Sequence, residues 1–356
     1  MAESFALDSL VIPGAYVQVR ADALIAGAAV STGNIAMVGT AGTVPTDTEI
    51  LSGFDDAVNA FGAYDAFSSG KLNLTRGLEL AYRNGGGVTF ARGLAAGADQ
   101  ADFTTAFEKL IKDDVNILVA PELSTSDALA VMGAVLEEAE NNGRDCIAVV
   151  GTDKTAVADI VAEVPDNDRI VFVAPGIQAY DSVAKANVTL PGTYAAAAVA
   201  GLLSTLVPQS SPTNKVLASV QSLEQRFTYG EEKTLVNGRV LVLEVLGGVR
   251  VVRGLTTDSG AFRQITTRRI TDYAKAGMRA CSSPFIGRLN NSRVRKALEG
   301  AINGFLSAMV ADEALISYEL AVTATRADEI AGRAIVNAIL RPTFSIDFVA
   351  VTLTLE

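Results

Sequence analysis

Residues 115–120 read Val-Asn-Ile-Leu-Val-Ala, and two similar apolar runs follow, Cys-Ile-Ala-Val-Val at 146–150 and Ile-Val-Phe-Val-Ala at 170–174. The stretches between them, 126–142 and 154–163, have the apolar period of helices. A strand without polar alternation is suited to burial on both faces, and such strands alternating with helices predict a parallel sheet covered on both sides. We therefore expect an α/β unit here.

The same alternation extends to both sides of this stretch. It predicts strands at 34–39 and 88–92, helices at 72–83 and 101–112, and a further helix in the Ala-rich residues 195–206. A helix of small residues is able to approach a sheet closely, so we expect the last one to pack directly against it.

The pattern changes after Pro208. Residues 240–245 and 249–253 are separated by Gly247-Gly248 and predict a hairpin. The remaining predicted elements are helices at 265–278 and 292–310, followed by strands at 316–323, 333–340 and 346–355.

Both ends of the chain are predicted to be extended. Residues 10–20 contain the turn signal Pro13-Gly14 and then alternate, and residues 346–355 alternate as well. An apolar strand at a free end is an open edge unless a strand of its own chain or of a neighbouring subunit pairs with it. The pattern alone leaves both pairings open. The candidates for strand exchange between subunits are Tyr16, Val17, Val19, Phe348, Val349, Val351 and Leu353.

The chain contains no histidine. Histidine is the usual general base near neutral pH and the commonest transition-metal ligand, so its absence excludes a Ser-His-Asp triad, a Cys-His pair and an HExxH zinc site. Cys146 and Cys281 are too few for structural zinc and are expected to be reduced thiols. Chemistry based on carboxylates or lysine alone stays open. We predict no catalytic residue, no cofactor and no metal site, and therefore no enzyme.

The turn Gly39-Thr-Ala-Gly42 lacks the Gly-Lys-Ser/Thr of a phosphate loop and is expected to be a tight strand-to-helix connection. No run approaches the roughly 20 apolar residues of a membrane-spanning helix. Met1–Leu10 contains two acids and no base, unlike a secretory signal. We therefore expect a protein made in the cytoplasm, without membrane insertion.

Charge is unevenly distributed along a chain whose net charge is −11. Residues 246–356 contain fourteen Lys and Arg against ten Asp and Glu, whereas the remainder contains fifteen against thirty. An acidic protein partner, a nucleic acid and a merely solvated face all agree with this division, although the acidic whole chain and sparse aromatic residues count against nucleic acid. The candidate basic surface comprises Arg268, Arg269, Lys275, Arg279, Arg288, Arg293, Arg295 and Lys296.

Six segments, by their order and spacing, resemble the tail sheath family of contractile phages, R-type pyocins and extracellular contractile injection systems. These segments are 12–19 (Ile-Pro-Gly-Ala-Tyr-Val-Gln-Val), 33–42, Val119-Ala-Pro121, 190–196 (Leu-Pro-Gly-Thr-Tyr-Ala-Ala), 267–273 (Thr-Arg-Arg-Ile-Thr-Asp-Tyr) and 290–306. The resemblance implies an inner α+β domain made of the N-terminal arm and the C-terminal third, with an outer α/β domain of the subtilisin-like, non-catalytic kind inserted between them.

On this chain the resemblance assigns residues 1–25 to the arm, 26–245 to the outer domain and 246–356 to the rest of the inner domain, with the second boundary between 190 and 250. It implies hexameric rings that stack helically around an inner tail tube and contract to drive the tube through a cell envelope. Because the inner domain carries the tube-facing surface, the tube-facing candidates are Arg293, Arg295 and Lys296.

The implied partners are further copies of the chain, the inner tube protein, and baseplate and tail terminator proteins, without direct contact to nucleic acid. The implied location is a virion tail or phage-tail-like particle assembled in the bacterial cytoplasm. Two alternatives remain from the sequence. An α/β ligand-binding module would need a pocket with convergent polar groups, and a capsid or filament protein would share the polymerising termini.

Overall fold

The computed structural model describes residues 30–65 and 73–355. Their strands are β1 (Ile35–Thr40), β2 (Glu49–Leu51), β3 (Thr89–Leu94), β4 (Ile117–Val119), β5 (Ile147–Gly151), β6 (Ile170–Ala174), β7 (Ile177–Asp181), β8 (Ala186–Leu190), β9 (Val220–Leu223), β10 (Leu241–Val245), β11 (Val249–Val251), β12 (Leu315–Thr323) and β13 (Ile335–Pro342). Their helices are α1 (Phe54–Phe61), α2 (Leu74–Arg83), α3 (Gln100–Leu110), α4 (Thr125–Asn141), α5 (Val157–Glu163), α6 (Gly192–Thr205), α7 (Tyr229–Asn237), α8 (Ile265–Ser282), α9 (Ser292–Ala311) and α10 (Arg326–Ile330).

The first part of the chain forms an eight-stranded sheet in the order β11-β10-β6-β5-β4-β1-β3-β2. The six strands from β10 to β3 pair in parallel, and β11 and β2 add antiparallel edges. The central strands β5 and β6 are buried at every residue, as their unbroken apolar sequences require. The α/β prediction is confirmed.

Helices cover both faces of this sheet and bury a separate core on each side. Helices α1, α2 and α6 pack on one face, and α3, α4, α5 and α7 pack on the other. The Ala-rich α6 lies close to α2: a Cβ built on Gly201 would stand 2.2 Å from the carbonyl oxygen of Ala81. Only glycine leaves room for that approach, so residue 201 sets the distance between the two helices.

Two elements between Pro208 and the hairpin were absent from the sequence prediction. Strand β9 joins β7 and β8 in a three-stranded antiparallel sheet, which packs against the core on the side of the large sheet covered by α1, α2 and α6. Helix α7 begins with a capping box, in which the side chains of Thr228 and Glu231 each accept a hydrogen bond from the other residue's backbone N–H. That Ser/Thr-x-x-Glu spacing is a start signal for a helix and was readable in the sequence.

The predicted hairpin is confirmed as β10 and β11, with Gly247 and Gly248 at positive φ in its turn. Strand β10 also pairs with β6, so both strands of the hairpin belong to the eight-stranded sheet. The domain boundary expected at residue 245 therefore falls inside the hairpin.

The C-terminal part has a third core between α8, α9 and the two-stranded sheet of β12 and β13. The apolar side of α9 faces this core: Leu298, Ile302 and Met309 are buried, with Phe305 packed against them. The described part of the chain contains no helix with the length and apolar character that a bilayer span requires.

The prediction of a last strand at residues 346–355 is wrong for the single subunit. These residues belong to no helix or strand. A strand is defined by hydrogen bonds to a neighbour, and none of the described strands pairs with this segment. The predicted N-terminal arm, residues 10–20, lies outside the described residues.

Candidate partner-binding surfaces

The segment from Phe344 to Leu355, which we call the tail, leaves β13 and exposes its apolar side chains. Phe348, Val349, Val351 and Leu353 are exposed by 79%, 79%, 74% and 86% of their surface. A row of large apolar side chains in water is unfavourable at about 25 cal/mol per Å², and such a patch usually marks a contact with another molecule. Of the seven strand-exchange candidates, these four therefore lie together on one accessible segment.

The other three candidates, Tyr16, Val17 and Val19, lie outside the described residues. Their pairing with a neighbouring subunit stays a prediction.

The two-stranded sheet beside the tail has open edges. Strands β12 and β13 pair with each other, and within residues 30–65 and 73–355 neither has a second strand neighbour. One face of this sheet packs on the third core, and the opposite face is exposed. The half-buried residues of the inner face are Tyr318, Leu320, Val322, Val336 and Leu340.

The tail has the alternation that such an edge accepts. Val349, Val351, Leu353 and Leu355 fall on one side of an extended chain, and Thr352 and Thr354 fall on the other. A strand added to β12 or β13 would continue both faces of the sheet, with aliphatic side chains beside the core and threonines in water.

The three tube-facing candidates lie on the first turns of α9 but differ in their surroundings. Arg293 and Lys296 are exposed, and neither has an ion pair among the described residues. Arg295 is mostly covered, and its Nη1 donates to Glu329 Oε1 of α10 at 3.0 Å and to Asn290 Oδ1 at 2.9 Å. Two of the candidates are thus available to a partner, and the third connects α9 to α10.

The candidate basic surface needs a correction. Half of its residues lie on α8, and these four form hydrogen bonds or ion pairs with other residues of the same chain. Arg268 and Arg269 are buried. Arg268 donates to Asp168 and Asp272 at 2.6 Å each. Arg269 donates to the carbonyl oxygens of Thr32 and Leu206, and burial lowers its pKa to about 10.

Lys275 and Arg279, also on α8, both bond to the carboxylate of Asp145 at 2.5 Å. Burial raises the pKa of Asp145, but the hydrogen bonds and charges of Lys275 and Arg279 outweigh it and leave the pKa below its ordinary value. Arg169 bonds to the same carboxylate at 3.0 Å. The sequence could not show this pairing, since Lys275 and Arg279 are 130 and 134 residues away from Asp145 in the chain, and only the fold brings them together.

Two groups that could carry chemistry, the Cys146 thiol and the Glu122 carboxylate, are enclosed. Burial raises the pKa of the Cys146 thiol to about 12, so it stays protonated and unreactive near neutral pH. The strand-to-helix connection expected at Gly39-Thr-Ala-Gly42 is wrong, because Gly39 lies in β1 and the chain next forms β2. The Glu122 carboxylate lies at the end of β1 and accepts Thr40 N–H at 2.9 Å and Thr40 Oγ1–H at 2.5 Å. A carboxylate occupies the place where a phosphate would have to bind.

Clusters of three or more His, Cys, Asp or Glu side chains able to hold a metal ion are absent from the described residues. A cavity lined by Thr32, Asn116, Arg269 and Asp272 has a volume of about 40 Å³. Small-molecule sites usually have about 300–1,000 Å³, so this cavity has room for water only.

Comparison with solved structures shows a shared fold over nearly the whole chain. The helical sheath of the anti-feeding prophage in its contracted state matches with a TM-score of 0.75 and 18% identity, covering 98% of this chain and 100% of that one. The sheath complex of PVC, an extracellular contractile injection system, in the contracted state gives 0.74 and 17%, covering 98% of each chain. A sheath tail protein from Desulfitobacterium hafniense gives 0.66 and 13%, covering 93% and 100%.

No curated protein matches the chain. Two family models do match: the phage tail sheath protein central domain at residues 96–257 and the phage tail sheath C-terminal domain at residues 257–356. Because these matches together run from residue 96 to the end of the chain, the chain belongs to the phage tail sheath protein family.

Proposed function

We propose that this chain polymerises into hexameric rings that stack helically around an inner tail tube, and that contraction of the stack drives the tube through a target cell envelope. Membership of the sheath family supports this function. So does the likeness to two sheaths whose structures are of the contracted state. The protein would then be structural and without enzymatic activity, in a virion tail or a phage-tail-like particle assembled in the bacterial cytoplasm.

The observation that carries the proposal is the exposed apolar tail beside a two-stranded sheet with open edges. In a monomer the apolar tail and the open sheet edges stay exposed to water and do not stabilise the fold. In a lattice, neighbouring subunits would bury them. In the proposed lattice the tail of one subunit pairs with the sheet of a neighbour, and the N-terminal arm, through Tyr16, Val17 and Val19, makes a second link. Such main-chain links stay intact while subunits change their orientation.

The proposed outer domain is residues 26–245 extended by β11, subtilisin-like in fold and non-catalytic, because β11 belongs to the eight-stranded sheet. The proposed inner domain consists of residues 1–25 and the remainder of 246–356. Arg293, Lys296 and, to a smaller degree, Arg295 would face an acidic inner tube. Baseplate and tail terminator proteins would bind the two ends of the stack. The proposal involves no cofactor, no nucleic acid contact and no membrane insertion.

An α/β ligand-binding module is the alternative function. It requires an enclosed pocket with convergent polar groups. The 40 Å³ cavity under Arg269 is too small for that requirement, and the larger clefts, of about 290 to 590 Å³, lie open at the surface.

Electron microscopy of the purified chain tests the proposal. We expect wide, striated, hollow tubes from the intact chain. Deletion of residues 349–356 should leave soluble subunits with an unchanged melting temperature, because residues 349–355 are exposed and the deletion keeps the buried Asp347. A length-matched variant with Val349, Val351 and Leu353 all changed to Ser should behave like the deletion, whereas Thr352→Ser should still form tubes. Uniform monomers from the intact chain at high concentration would contradict the proposal.

A further inference from the structure

The tail is anchored where it begins, although it is free where it ends. Arg253, just after β11, donates from Nε to Asp347 Oδ2 at 2.7 Å. Gln264, just before α8, donates from Nε2 to the same oxygen at 3.1 Å. The Asp347 side chain is only 6% exposed. The one charged side chain of the tail is thus buried against two donors from the stretch between β11 and α8.

Two further contacts fix the backbone on either side of Asp347. The N–H of Ser345 donates to Gln264 Oε1 at 3.3 Å, so that both ends of one amide side chain bind the tail. The guanidinium carbon of Arg253 lies 5.1 Å from the centroid of the Phe348 ring. We call Arg253, Gln264, Ser345 and Asp347 the root clamp.

Beyond Phe348 the contacts stop. Residues 349–355 are exposed throughout, and in the described chain they have no hydrogen bond or ion pair. Fixing one residue of backbone costs roughly 1–2 kcal/mol of conformational entropy, so the clamp offsets that cost for a few residues only. The tail is therefore divided into a fixed root and a free, apolar end.

We propose that the root clamp sets the direction in which the tail leaves the subunit and so presents residues 349–355 to the sheet of a second copy. A segment that already points toward its acceptor loses less freedom when it pairs, and pairing becomes tighter and faster in proportion. Arg253, Gln264 and Asp347 are positioning residues on this view, since none of them contacts the acceptor strand. The inference rests on the proposed function for the identity of the acceptor, but the clamp itself belongs to the single subunit.

Limited cleavage by chymotrypsin of dilute, unassembled full chain tests the clamp. Cleavage after Phe348 needs an extended stretch that includes the root, whereas cleavage after Leu353 needs only the free end. In the intact chain we expect the Leu353 cut to be roughly ten-fold faster than the Phe348 cut, because proteolysis follows local opening. Arg253→Ala should bring the two rates close together without changing the tail sequence.

Gln264→Glu is the second variant, because it places a like charge beside Asp347 and should open the root in the same way. Arg250→Ala is the matched control. It removes an arginine three residues earlier that bonds Asn214 and not the tail. The ratio of the Leu353 cleavage rate to the Phe348 cleavage rate in this variant should equal the ratio in the intact chain. If the intact chain, Arg253→Ala and Gln264→Glu all gave the same ratio of these two cleavage rates, the proposed root clamp would be wrong.

Assembly gives the second readout. If the intact chain forms tubes, we expect Arg253→Ala to need a concentration roughly ten-fold higher, equivalent to about 1.4 kcal/mol. Tubes at an unchanged concentration, together with a changed cleavage ratio, would refute the positioning role while leaving the clamp. An intact chain that never forms tubes would refute the proposed function, and the cleavage ratio would still decide whether the root is held.

Discussion

Arg169 Nη1 lies 3.1 Å from Asp272 Oδ2, which joins the residue before β6 to the middle of α8. The Arg169 side chain is 4% exposed and also bonds to Asp145 and Glu140. One guanidinium therefore holds three carboxylates at the place where the eight-stranded sheet meets the third core. Three basic residues of α8, Arg268, Lys275 and Arg279, pair with acids of this same cluster, which explains why they are not free at the surface.

Arg169→Met should destabilise the chain strongly, because it leaves Asp145 and Asp272 short of a cation in a buried place. Removing one partner from a buried ionic cluster typically costs about 3–5 kcal/mol. The measurement is the free energy of unfolding in urea.

The matched control is Arg326→Met, because the Arg326 side chain is 83% exposed and pairs with Glu329 at the surface. We expect a change below about 1 kcal/mol there. A similar loss in both variants would show that the Arg169 cluster is no stronger than a surface pair.

The alternation of apolar runs predicted the parallel sheet because each central strand is buried on both faces, which leaves a pattern in the sequence itself. The burial and hydrogen bonding of Arg268 and Arg269 left no such pattern in the sequence. Asp272 is four residues from Arg268, but the other partners, Asp168, Thr32 and Leu206, are far away in the chain. A basic pair reads the same whether it faces water or a buried acid. Tertiary pairing of charges is therefore the part of the site that sequence reasoning missed.

Gly201→Ala should be destabilising although alanine favours helices. The added Cβ would meet the backbone of Ala81 at 2.2 Å, and backbone cannot move aside as a side chain can. Overpacking of this kind costs about 1–3 kcal/mol or more. Thermal unfolding measures it.

Gly133→Ala in α4 is the control, because a Cβ added to Gly133 would have no other atom within 4 Å. Helix propensity alone should then raise stability by about 0.5–1 kcal/mol. Opposite signs for the two substitutions are expected, and a stabilising Gly201→Ala would contradict the close packing of α2 and α6.

Glu122 should make stability depend on pH near neutrality. Burial raises its pKa from 4.5 to about 7, although hydrogen bonds from Thr40 oppose the rise. The folded state therefore holds a proton that the unfolded state releases, so this stabilisation is complete below pH 4.5 and is lost as the pH rises through 7. Glu122→Gln stays neutral and should be more stable than the intact chain above that range by about 1–3 kcal/mol.

Urea unfolding of both chains at several pH values between 4.5 and 8 measures this difference (the upper limit is about one unit above the pKa). The two free energies should be close at the acidic end and should separate as the pH rises. Curves that stay parallel would mean that Glu122 has an ordinary pKa and is solvated at the end of β1.

The exposed pair Arg293 and Lys296 should contribute to partner binding and little to stability. Changing both to Glu reverses two charges that have no ion-pair partner among the described residues, so the free energy of unfolding should move by less than about 0.5 kcal/mol. Binding to an acidic tube protein should weaken, and the difference from the intact chain should shrink as salt screens the charges. Co-sedimentation with isolated tubes at low and high salt measures this.

Arg295→Ala and Lys233→Glu complete that comparison, because they separate a structural arginine from a merely exposed cation. Arg295 bonds Glu329 and Asn290, so its loss should lower stability by about 1–2 kcal/mol and affect binding only through α9. Lys233 is exposed on α7, which packs on the eight-stranded sheet, and its reversal should leave binding unchanged. If Lys233→Glu weakened binding as much as the double change on α9, net charge would explain the effect, and α9 would lose its place as the tube-facing surface.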